Sequence, residues 1–119
     1  MVWDGKEKRR FVRANLPCKI IIYTPREHTI ITHTENIGAG GVRVILDEDL
    51  NISSVVGLEI FLYDEPIECE GRIVWTIEKE ESETPGIGRY DTGIEFYKIS
   101  DKDRDVINNF VEGMVTDQK

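Results

Sequence analysis

Arg9-Arg10-Phe11-Val12-Arg13 and, further along, Asn36-Ile37-Gly38-Ala39-Gly40-Gly41 are the stretches on which the reading of this chain turns. The first carries three guanidinium groups in five residues. A guanidinium is a planar fork of donors that matches the paired acceptors of phosphates and guanine edges. The second is a glycine-rich turn opened by a side-chain amide. Asn offers both a donor and an acceptor, and glycines let a backbone come close to a ligand. Together the two stretches point to a site for a small anionic nucleotide.

The charge distribution agrees. The 119-residue chain has a formal net charge of −8. Lys6, Lys8, Arg9, Arg10 and Arg13 stand against Glu7, so residues 6–13 are net +4 and the rest of the chain is −12. A compact basic patch on an acidic body attracts a small anion and disfavours a long polyanion, so neither DNA nor RNA is an expected partner.

Length fits one domain, large enough to bury a core without disulfides or metal. Cys18 and Cys69, the only cysteines, sit in alternating apolar runs and read as buried thiols. His28 and His33 stand apart, and no C-x-x-C spacing occurs, so neither a metal nor a cofactor is expected. There is no N-terminal apolar segment and no apolar run of about eighteen residues, so a cytoplasmic protein without membrane insertion is expected.

Outward from the two motifs the pattern is that of strands. Residues 1–13 read as a flexible basic arm, which includes the aromatic Trp3. Cys18–Tyr23 and Thr29–Thr34 flank a turn at Pro25-Arg26-Glu27. The glycine cluster interrupts the second strand, and Val42, Val44 and Leu46 then alternate with Arg43, Ile45 and Asp47. Gly57–Tyr63 turns at Asp64-Glu65-Pro66 into Ile67–Ile77. There Ile67, Cys69, Ile73 and Trp75 share a dry face with Gly71, which places Trp75 in the core. Residues 78–88 read as an acidic, solvated loop. Tyr90, Thr92, Ile94 and Phe96 alternate with Asp91, Gly93 and Glu95 as a last strand.

Ser100 then caps an acidic first turn, and Val106, Ile107, Phe110, Val111, Met114 and Val115 recur at helical spacing. The expected fold is all-β with a C-terminal helix: a small six-stranded antiparallel, split β-barrel over residues 14–119, with the helix at about 101–115.

In their order and placement the motifs resemble the PilZ domain family. Its pattern is R-x-x-x-R in an N-terminal loop, then D/N-x-S-x-x-G, a barrel and a C-terminal helix. Arg9 and Arg13 match the arginines, Asn36 the D/N position and Gly41 the last glycine. Gly-Arg-Ile-Val-Trp and Thr-Gly-Ile-Glu-Phe look like the family's closing strands. The resemblance spans roughly residues 8–115.

It implies a receptor for the bacterial messenger cyclic di-GMP, acting through an unidentified protein partner. Arg9 and Arg13 would contact phosphates and guanine edges, Arg10 would add a further contact, and Asn36 would hydrogen-bond a guanine. Gly41 would allow close approach. The family's serine is Gly38 here, which removes one hydroxyl from the site. The alternative is a degenerate PilZ domain that binds a protein partner without nucleotide. Ser53-Ser54 has no histidine partner motif and no acid/base pair is evident, so an enzyme is not expected.

Overall fold

The computed structural model describes residues 13–79 and 89–117. Arg9, Arg10 and Trp3, the arm reading for residues 1–12, and the acidic residues Glu80, Glu81 and Glu83 lie outside them.

Among the described residues, seven strands precede one helix. They are β1 (Arg13–Ala14), β2 (Lys19–Tyr23), β3 (Thr29–Gly38), β4 (Gly41–Leu46), β5 (Val55–Phe61), β6 (Ile67–Lys79), β7 (Arg89–Lys98) and α1 (Asp101–Asp117). All pairings are antiparallel. Strands β2 to β7 run in the order β3-β2-β5-β6-β7-β4, and β4 pairs back onto β3 to close a six-stranded barrel. The two-residue β1 lies on the Ile37–Gly38 end of β3, beyond the stretch that β2 occupies.

Alternating apolar residues fill the interior. Ile20, Ile22, Ile37, Val44, Ile60 and Ile73 are fully buried. Helix α1 contributes Ile107 and Val111 to the same core. Its first turn is capped as expected, with Asp103 N donating to Ser100 Oγ at 3.0 Å. Phe110 meets Tyr63 edge-on, with ring centroids 5.4 Å apart. Cys18 is buried and Cys69 half-buried, and both are free thiols.

Three readings are corrected. Strand β3 runs on through Gly38, so the glycine cluster ends the strand rather than interrupting it, and only Ala39 and Gly40 form the turn. Strand β6 extends to Lys79, which takes residues 78 and 79 out of the expected loop. Trp75 is not core. A β-bulge between Ile73 and Trp75 inserts one residue into the ladder, and the inside-outside alternation slips from that point. Trp75 therefore lies on the outer face, 36% exposed.

Candidate functional site

The register brings the motif residues together in rows across the outside of the barrel. Arg13 is opposite Gly38, Gly38 opposite Gly41, and Gly41 opposite Glu95. The next outward row runs Asn36–Arg43–Gly93–Trp75 across β3, β4, β7 and β6. At the usual strand spacing, Asn36 and Trp75 are three steps, roughly 14 Å, apart. Between the rows lies a shallow cleft of about 320 Å³, lined by Asn36, Gly41, Arg43, Trp75 and Glu95 among others.

Arg13 reaches this row because the segment before β2 is stitched to β3. Thr34 Oγ1 accepts from Cys18 N at 3.0 Å and donates to the Leu16 carbonyl at 2.7 Å. Thr34 N in turn donates to the Cys18 carbonyl at 2.9 Å. These bonds satisfy buried polar groups and hold residues 16–18 against the barrel. The backbone of Arg13 is thereby paired, not part of a free arm.

The turn is fastened from both sides. Phe96 N donates to the Gly40 carbonyl at 3.0 Å, and Arg104 Nη1 from α1 donates to the Ala39 carbonyl at 2.9 Å. Gly41 has a packing reason to be glycine. A Cβ there would stand 2.1 Å from the Ile94 carbonyl oxygen and 2.9 Å from the Glu95 Cα, both backbone atoms. Gly93 is glycine for a related reason: the Trp75 indole lies on it, and a Cβ would meet Nε1 at 2.2 Å. An aromatic ring is thus laid flat over an outward glycine, at the edge of the cleft.

Arg43 was not singled out by its motif position, yet it is central to the site. Its Nε and Nη2 each donate to one carboxylate oxygen of Asp91, both at 2.8 Å. Asp91 is buried although it faces outward. The Arg43 guanidinium holds its carboxyl below the usual range, against the opposing effect of burial. Lys79 Nζ approaches the same carboxylate at 3.8 Å. Arg72 sits over the Tyr97 ring at 4.2 Å and near Glu95 at 3.8 Å.

The thiols take no part. Burial pushes Cys69 up to about 12 and also raises Cys18, so both stay protonated at neutral pH. Among the described residues no cluster of His, Cys, Asp and Glu could hold a metal, and no helix is long and apolar enough to cross a membrane.

The barrel and its helix are matched by known proteins. The PilZ domain family model matches residues 7–113, and the chain belongs to that family. The solved "Inhibitor of motility (MotI/DgrA)" from Bacillus subtilis superposes with a TM-score of 0.77 at 22% identity, covering 94% of this chain and 53% of that one. The PilZ domain with c-di-GMP of YcgR from Escherichia coli gives a TM-score of 0.72 at 11% identity, covering 93% and 94%. The K. pneumonia MrkH–c-di-GMP complex gives 0.62 at 17% identity, covering 99% and 52%. The chain thus spans about half the length of two of these structures. No match to a curated protein was found.

Proposed function

We propose that this domain is a bacterial, cytoplasmic, non-enzymatic receptor for cyclic di-GMP. Occupancy would change the outer face that a protein partner reads. The observation that carries this reading is the pair of adjacent rows. They set the Arg13 backbone, Gly38 and Gly41 beside Asn36, Arg43 and Trp75. Cationic donors serve phosphates, the Asn36 amide serves a base edge, and the Trp75 indole offers a flat stacking surface. Arg9 and Arg10 belong to the same proposal by motif. Two of the similar solved structures are described with c-di-GMP.

Calorimetric titration with cyclic di-GMP tests it. Saturable heat is expected, with Arg9→Ala and Arg13→Ala each weakening binding by about ten-fold or more through loss of a charge-assisted hydrogen bond. Absence of heat at high ligand concentration, with the protein folded, would refute it.

One feature favours a second reading, a PilZ domain that binds only a protein partner. Gly38, buried between Arg13 and Gly41, has no hydroxyl where the family pattern has serine. The same titration separates the two readings.

A further inference from the structure

The corner of the outer face beyond Arg43 has an electrostatic arrangement that nucleotide binding at Asn36 and Gly41 does not explain. Lys79 and Arg89 are direct cross-strand partners at the ends of β6 and β7. Like charges set opposite one another destabilise a strand pair. Arg43 stands beside them, and these three cations with Ile45 line a second cavity of about 220 Å³. Three positive groups converge there in a chain whose net charge is −8. Among the described residues, the carboxylate paired with these cations is Asp91, and Glu35 is a further acid whose charge reaches Arg43.

Asp91 orients the cations and offsets one of their three charges, leaving the corner net positive among the described residues. Its side chain is 7% exposed, whereas those of Arg43 and Lys79 are 37% and 43% exposed. The buried carboxylate holds Arg43 through Nε and Nη2 and draws in Lys79, while Nη1 takes no part in that pair. A fork fixed from behind is a preorganised anion donor, because less side-chain freedom is lost when the ligand arrives. The Ile45 side of the cavity adds apolar surface next to the charged groups.

We propose that Arg43, Lys79 and Arg89 form a second anion site that takes a phosphate monoester, with the oxyanion on the cations and the organic group against Ile45. The site adjoins the nucleotide cleft through the shared Arg43 but does not include Asn36 or Gly41. Its occupant relieves the repulsion between Lys79 and Arg89.

The test is a titration of the full chain with inorganic phosphate and with phenyl phosphate, at ionic strength held constant with chloride. It is followed by nuclear magnetic resonance at the backbone amides of residues 43, 79 and 89 and at the arginine Nε–H groups. Saturable shifts at these positions are expected, with phenyl phosphate tighter than inorganic phosphate. Arg89→Gln and Lys79→Gln, both exposed positions that leave the core untouched, should each weaken binding by about ten-fold. Asn36→Ala should leave the phosphate response unchanged, which keeps this site distinct from the nucleotide reading. Shifts that never saturate and are reproduced by chloride would mean screening alone and overturn the proposal. So would saturable shifts that persist unchanged in Arg89→Gln and Lys79→Gln.

Discussion

The Asn36–Gly41 hairpin and the Trp75 bulge border the same cleft, but they are held in place in different ways. The hairpin is fixed by backbone: Gly38 pairs with Gly41, Phe96 N bonds the Gly40 carbonyl, and Arg104 bonds the Ala39 carbonyl. Removing one contact there disturbs the sheet itself. On the bulge side the β6–β7 ladder holds the backbone, but what borders the cleft is a side chain, the Trp75 indole resting on Gly93. The first region joins fold and site in the same atoms, whereas the second separates them. Substitution at Gly41 should therefore cost stability, and substitution at Trp75 should cost binding.

The largest expected effect is at Gly41. Gly41→Ala drives a methyl group into the Ile94 carbonyl, which a β-strand cannot move aside cheaply. A loss of about 3 kcal/mol is expected in urea denaturation. An unchanged midpoint would break the claim that this glycine is kept for packing.

Next in size is the Arg43–Asp91 pair, which lies between the two regions. Arg43→Ala leaves a buried carboxylate with, among the described residues, the more distant Lys79, at an expected cost of about 2 kcal/mol. The same pair sets a pH dependence. The folded carboxyl of Asp91 is held below its ordinary value, so its contribution is present at neutral pH. It is lost as pH falls below the usual carboxylate range and through the depressed folded value. Thermal melts should show wild type losing stability more steeply than Asp91→Asn over that acidic window. Parallel curves would contradict the assignment.

Trp75→Ala sharpens the comparison from the other side. Removing a half-exposed ring from the outer face should change stability by about 1 kcal/mol or less. It should weaken cyclic di-GMP binding by about 1–2 kcal/mol through lost stacking. A stability loss larger than that, with affinity unchanged, would make Trp75 a structural residue. The smallest effect is expected from Gly38→Ser, which supplies the hydroxyl of the family pattern. A gain of at most about 1 kcal/mol in binding is expected by calorimetry.

The same contrast explains what could be read from sequence. Alternation located the strands because one face of each is buried, and Ser100 and its acidic neighbours marked the helix start. Asn36 and Gly41 could be named as candidates because their spacing is a motif. Trp75 could not, because a bulge reverses which face a residue occupies and leaves no local mark in Gly-Arg-Ile-Val-Trp. A hint existed in Gly93, an outward glycine on the neighbouring strand, which leaves room for an aromatic ring. Arg43 and Asp91, 48 residues apart, meet only through the β4–β7 register, and no sequence period encodes that pairing.

The most direct test of the claim that hairpin and bulge form one site follows two signals in a single cyclic di-GMP titration. These are the Asn36 side-chain amide and the Trp75 indole N–H, observed by nuclear magnetic resonance. Both should shift along the same saturation curve with one dissociation constant. An indole signal that stays in place while the Asn36 amide saturates, or no change in either at high ligand concentration, would contradict the account.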